Sequence, residues 1–225
     1  MRPVLWEVDA QADFMLPGGK LYVPGAEKII PNLNRLVEAA RQERTLLISS
    51  ADAHSPDDPE FREWPVHCVK GTAGAELIPE ARAARQFVIP NQSDFVLPGD
   101  LGSYQQILLE KNTLDVFDNP NTDKVLARLN ASQNRRVGAG LDFLIFGVVT
   151  EYCVLRATDG LLRRDYRVGI VEDAIQSLDE RKGHAILNDL QARGARVIST
   201  SEALALLGRD APGGTESKPG KAAGN

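Results

Sequence analysis

Cys153 stands in Gly147-Val148-Val149-Thr150-Glu151-Tyr152-Cys153-Val154, where an apolar run gives way to an amphipathic one. A thiol at the first turn of a helix meets free backbone N–H groups and the positive end of the helix dipole. Both favour a thiolate nucleophile, and the N–H groups can also hold an oxyanion. Taken alone, a cysteine after a strand packs more often than it reacts, so its companions decide. Asp9 closes the apolar run Leu5 to Val8, and Lys111 closes Ile107 to Glu110. A carboxylate beside a thiol can take its proton and return it to a leaving group, while an ammonium beside both favours the thiolate. Asp9 is therefore read as general base then acid, and Lys111 as the cation. Cys68 has no such company and is read as structural.

A second constellation is Asp52-Ala53-His54 with His67 thirteen residues on, which takes two of the chain's 3 histidines into one acidic segment. Imidazole and carboxylate together suit zinc or another first-row divalent metal, with positions left open for water or substrate. Glu60 or Glu63 can supply a further oxygen. His184 falls on the outside of a helical pattern and is read as structural.

These residues need elements to hold them. Short apolar runs at Leu5–Val8, Thr45–Ser50, Ile107–Glu110, Asp142–Val149, Arg167–Val171 and Ala195–Ile198 read as strands, and Gln86–Pro90 is a candidate for one more. Between them, apolar residues at helical spacing mark helices from Ala26 to Ala40, from a Thr122 cap through Leu129, over 151–164, over Asp179–Ala192 and over 201–207. Continuous apolar strands separated by amphipathic helices predict a three-layer α/β domain with a parallel sheet covered on both faces. In such sheets ligands bind beyond the carboxyl ends of the strands, where Asp9, Asp52, Lys111 and Cys153 all fall. Residues 51–80 form a connection far longer than the usual one of about 4–6 residues, and such loops are often functional.

Composition narrows the class. The chain has 225 residues, with 26 Lys+Arg against 31 Asp+Glu and a formal charge of −5. That balance lacks the basic excess of a nucleic-acid binder, and no apolar run approaches the ~18 residues of a membrane span. Two cysteines do not make a disulfide scaffold, and no signal-peptide pattern is seen at the N-terminus. A single domain over 1–208 in a cytoplasmic protein is expected, followed by a disordered tail over 209–225, where Ala, Gly, Pro, Ser and Lys dominate.

Several segments resemble one family. Asp9-Ala10-Gln11-Ala12-Asp13-Phe14 with Pro17-Gly18-Gly19 is similar to the opening motif of the isochorismatase-like cysteine hydrolases. Asp52-Ala53-His54 and Trp64-Pro65-Val66-His67-Cys68 with Gly71-Thr72 and Gly74 resemble the metal loop of the nicotinamidase/pyrazinamidase branch. Thr150-Glu151-Tyr152-Cys153-Val154 is similar to the nucleophile turn, and Val171-Glu172-Asp173-Ala174 to the end of the fifth strand. The match runs in order from about residue 3 to 207.

The resemblance implies a Rossmann-like domain with a mostly parallel six-stranded sheet, and an Asp9–Lys111–Cys153 triad. It implies metal ligands at Asp52, His54 and His67, with Glu60 where many nicotinamidases carry another histidine. It also implies a cis peptide between Val148 and Val149, an oxyanion hole from the N–H groups of Val149 and Cys153, and pocket walls at Phe14 and Trp64. The expected activity is metal-assisted hydrolysis of a small carboxamide, foremost nicotinamide to nicotinate and ammonia through a thioester, as in NAD metabolism. One divalent ion is expected, zinc ahead of iron or manganese, in a homo-oligomer with no nucleic-acid or membrane partner. The segment Lys111-Asn112-Thr113-Leu114 lacks the Tyr-Ser pair usual in nicotinamidases. Hydrolysis of another small amide or ureido compound, isochorismatase-type hydrolysis and a catalytically silent binding protein are the alternatives. Glu7, inside a buried strand, has no explanation from the sequence.

Overall fold

A computed structural model describes residues 2–132 and 142–208; the tail expected over 209–225 lies outside them. Among the described residues, seven strands form one sheet in the order β3-β4-β2-β1-β5-β6-β7. They are β1 (Val4–Val8), β2 (Leu47–Asp52), β3 (Gln86–Ile89), β4 (Gln106–Lys111), β5 (Phe143–Val148), β6 (Val168–Gln176) and β7 (Arg196–Ile198). All neighbouring pairs are parallel. The count exceeds the expected six by the edge strand β3, which is only four residues long.

Side chains alternate across the sheet, so each central strand feeds two cores. A one-turn helix, α1 (Ala12–Met15), follows β1. Leu5, Leu47 and Leu144 pack with Leu33, Leu36 and Leu207, from the helices α2 (Ile30–Arg41) and α6 (Thr200–Gly208). Trp6, Ile48 and Ile145 pack on the other side with Leu126, Leu161 and Leu190, from α3 (Thr122–Ser132), α4 (Leu155–Leu162) and α5 (Glu180–Ala192). This is the expected three-layer arrangement.

Several boundaries differ from the sequence reading. Thr122 begins α3, and its hydroxyl donates to the Val116 carbonyl instead of capping the helix. The helix expected over 151–164 is split into a π-type turn at Thr150–Val154 followed by α4. β6 runs on to Gln176, past Val171–Ala174, with an irregularity in its pairing where Ile145 meets Ile170 but Gly147 meets Ile175. Bulges of this kind re-aim a strand next to a site. At Gly147 (φ +118°) any Cβ would lie 2.1 Å from the Val8 carbonyl oxygen, so β1 and β5 meet this closely only because the residue is glycine.

Candidate active site

The chain leaves β1 at Asp9, β2 at Asp52, β4 at Lys111 and β5 at Val148, and these four neighbouring strand ends form one crevice. Lys111 is the last residue of β4 and 1% exposed. Its ammonium lies 2.9 Å from Asp9 Oδ2 and 3.6 Å from Cys153 Sγ, and it also donates to Asp52 Oδ1. The surface ion pair that an isolated lysine would suggest is thus excluded. A fully buried ammonium is tolerable only with partners, and two carboxylates hold its pKa well above the ordinary value against the opposing effect of burial.

Asp9 sits in the left-handed region (φ +50°), and Oδ1 accepts from the Ser50 hydroxyl at 2.7 Å. Burial raises its pKa, Lys111 lowers it and Asp52 raises it, with a net upward shift. Asp52 moves the other way: burial is outweighed by Lys111 and by the neighbouring His54 and His67 rings, which hold its pKa below the ordinary carboxylate range.

Cys153 corrects the expectation of a low-pKa thiol at a helix start. It lies within the π-type turn and is buried; burial pushes its pKa well up, Lys111 pulls it down, and Asp9 and Asp52 raise it again. Its side chain faces both the Asp9 carboxylate and the Lys111 ammonium. Val149 follows a cis peptide bond from Val148, and its carbonyl accepts from the N–H groups of Tyr152 and Val154. Cys68 is buried, with its pKa pushed far up by burial and three nearby aspartates, as befits a packing residue.

Asp52, His54 and His67 are all buried, with candidate ligand atoms within 4.8 Å of one another. His67 Nδ1 lies 2.7 Å from the Pro65 carbonyl oxygen, and His54 Nδ1 lies 3.1 Å from Asp58 Oδ2. The Pro65 carbonyl can only accept, so His67 Nδ1 carries the proton and its Nε2 is left with a lone pair 3.5 Å from Asp52 Oδ2; His54 Nε2 lies 3.7 Å from the same oxygen. Neither ring nitrogen of the wholly buried His54 makes a hydrogen bond of good geometry, a costly state that metal ligation would relieve. Two imidazoles and an ionised carboxylate fit a divalent ion. Glu60 and Glu63 stand outside this three-residue group; Glu60 lines the adjoining pocket.

Three residues holding this loop were not singled out as functional from the sequence. Asp58 faces His54. The Gln11 amide accepts from Asp52 N (2.7 Å) and donates to the carbonyls of Asp52 (2.8 Å) and Ala75 (2.7 Å). The Asp13 carboxylate accepts from Cys68 N (2.7 Å) and Lys20 N (3.0 Å), fixing the residue next to His67. Gln11 and Asp13 lie in the opening motif, so the motif carried the signal but not the task. Between the two clusters lies a pocket walled by Phe14, Leu21, Val23, Trp64, Leu114 and Tyr152, with Cys153 at its base. Phe14 and Trp64 both line this cavity, and Trp64 meets Tyr152 edge-on at 5.2 Å.

Residues 4–202 match the model of the isochorismatase domain, and the chain belongs to that family. A nicotinamidase from Escherichia coli (strain K12) is 23% identical over 230 residues, covering 87% of this chain and 93% of the relative. A pyrazinamidase of Pyrococcus horikoshii, solved in complex with zinc, is 25% identical with a TM-score of 0.67, covering 88% of this chain and 99% of that one. An N-carbamoylsarcosine amidase from Thermoplasma acidophilum is 26% identical with a TM-score of 0.65, covering 89% and 97%. Among the described residues no helix is long and apolar enough to cross a membrane.

Proposed function

We propose that this protein is a metal-assisted cysteine amidohydrolase that converts nicotinamide to nicotinate and ammonia. The observation that carries the reading is the buried Asp9–Lys111–Cys153 cluster opening into an apolar pocket beside Asp52, His54 and His67. Asp9 takes the thiol proton as Cys153 Sγ attacks the carboxamide carbon. Lys111 stabilises the charge that develops on sulfur, and the N–H groups of Val149 and Cys153 receive the oxyanion. Asp9 then protonates the departing ammonia, and water, deprotonated by Asp9, hydrolyses the thioester. Asp52, His54 and His67 would hold a divalent ion, zinc in the first instance, which supplies a Lewis-acidic anchor for a substrate donor atom. The aromatic and aliphatic walls exclude water and suit a flat ring.

The Glu60 carboxylate on the pocket wall favours a second reading, a ureido substrate whose N–H groups it would accept. An ammonia-release assay with metal-replete protein over nicotinamide, pyrazinamide and carbamoyl compounds separates the two. Nicotinamide is expected to lead; release from carbamoyl compounds alone would transfer the assignment. Cys153→Ala should abolish release and Cys68→Ala should keep most of it, whereas full activity in Cys153→Ala would end the covalent mechanism.

A further inference from the structure

Glu7 is fully buried, in a strand otherwise composed of Val4, Leu5, Trp6 and Val8. The side of the sheet it faces, shared with Leu5, is packed by α2 and α6. A carboxyl group placed there without partners would be costly, yet Glu7 has them. Its Oε1 accepts from the backbone N–H of Ala10 at 2.6 Å. Its register partner on β2 is Ser49, whose hydroxyl oxygen accepts from Gln106 Nε2 at 2.7 Å and whose proximity favours the carboxylate form of Glu7, while Oε2 makes no hydrogen bond of good geometry and leaves Oε1–Ala10 as the one firm anchor. Burial, with a smaller contribution from Asp9 and opposed by Ser49 and Ala10, raises the carboxyl pKa to about 8.

The Ala10 N–H lies at the corner where β1 ends. Asp9 N still donates to Ser50 O (3.2 Å), and Gln11 N already folds back on Asp9 O (2.7 Å). Strand alternation would leave the Asp9 side chain on the same face as Leu5 and Glu7. The left-handed backbone at Asp9, uncommon for a residue with a Cβ, takes it out of that alternation. Its carboxylate meets Ser50 and Lys111 instead.

We propose that Glu7 is a positioning residue for Asp9, its carboxyl oxygen fixing the Ala10 N–H and so the left-handed corner that aims the Asp9 carboxylate at Lys111 and Cys153. The proposal rests on the reading of Asp9 as the group that takes the thiol proton.

Glu7→Leu preserves apolar bulk and removes the acceptor, whereas Glu7→Gln keeps an acceptor oxygen. In the whole, metal-replete chain, Glu7→Leu should lower kcat by about tenfold or more, on the scale of a displaced catalytic group. KM should change little, and alkylation of Cys153 by iodoacetamide at pH 7 should slow in parallel. Glu7→Gln should restore both rates to within a few fold of the parent. Parental kcat and alkylation in a folded Glu7→Leu protein would overturn the proposal, as would a Glu7→Gln protein as impaired as Glu7→Leu. If Glu7→Leu does not fold, Glu7→Gln decides: near-parental rates support the acceptor role, and a tenfold loss overturns it. Alkylation needs no substrate. If the parent hydrolyses no carboxamide, a slowed alkylation in Glu7→Leu still upholds Glu7 while the proposed substrate falls.

Discussion

Asp9, Lys111 and Cys153 hang from the ends of β1, β4 and β5, whereas His54 and His67 ride on the long connection that follows β2. The first group inherits its geometry from parallel ladders whose register leaves little freedom, such as Asp52 opposite Lys111. The second has only isolated bridges and turns, and is held by side chains reaching across from the opening motif: Gln11 to Asp52 and Ala75, Asp13 to Cys68 and Lys20. Asp52 belongs to both, since it ends a strand, pairs with Lys111 and stands beside both histidines. The lesson is one of separability. Damage to the clamps should loosen the metal ligands and spare the thiol, whereas damage to Lys111 should reach both.

Lys111→Met is the strongest test of that shared point. It keeps the stem and removes the charge, leaving Asp9 and Asp52 buried without their common partner. Breaking a buried pair in this way costs about 3–5 kcal/mol. In addition, kcat/KM should fall by roughly a hundredfold or more, and the pH at which iodoacetamide labels Cys153 should rise because Lys111 lowers that thiol's pKa. Denaturant titration, kinetics and labelling on one preparation check all three. Unchanged kinetics in a folded variant would remove Lys111 from the site.

Asp13→Asn and Gly74→Ala probe the clamp. Asparagine can accept through only one side-chain atom, so one of the two bonds to Cys68 N and Lys20 N is lost. A Cβ at Gly74 would lie 2.3 Å from the Asp13 carboxyl and push it aside. Losing the outer support of metal ligands typically weakens binding by about 10–100-fold, and calorimetric zinc titration of each variant should show a loss of that size. Cys153 alkylation in the metal-free protein should stay within a few fold of the parent. Parallel losses in both readouts would show that the two halves do not separate.

The strand-borne half was the more legible in the sequence, and for a physical reason. Apolar runs such as Leu5–Val8 and Phe143–Val148 have one stable use in an α/β protein, and polar residues at their ends must converge on one edge of the sheet. The short strand β3 was harder to place because only Ile89 of its four residues is fully buried. In the loop, residue type named Asp52, His54 and His67, while Glu60, preferred by position as a further ligand, lines the adjoining pocket outside their compact group. Asp58, the carboxylate that meets His54, was indistinguishable from the other acids of that loop. Nothing local marks which of them folds inward. The thiol pKa was misjudged for a similar reason: a helix start lowers it, but burial and two carboxylates are properties of the assembled crevice.

Glu7 gives the strand-borne half a pH dependence of its own. Its carboxyl ionises near 8 when folded, against an ordinary value of 4.5. Between those values the folded protein holds a proton that the unfolded chain releases, so the unfolded state binds fewer protons and stability must fall as pH rises. This contribution is fully present below about pH 4.5 and is lost as pH climbs through 8. The slope for one such group is about 1.4 kcal/mol per pH unit within that window. Glutamine keeps the acceptor for Ala10 N–H and cannot titrate, so the parent should lose stability relative to Glu7→Gln as pH is raised from 5 to 8. Urea midpoints of the two proteins at three pH values across the window measure the difference directly, because every other titrating group is common to both. Parallel curves would mean that Glu7 is already ionised in the folded protein. The strand-borne half would then carry a buried negative charge behind Asp9, and its geometry would no longer be independent of the charges at the strand ends.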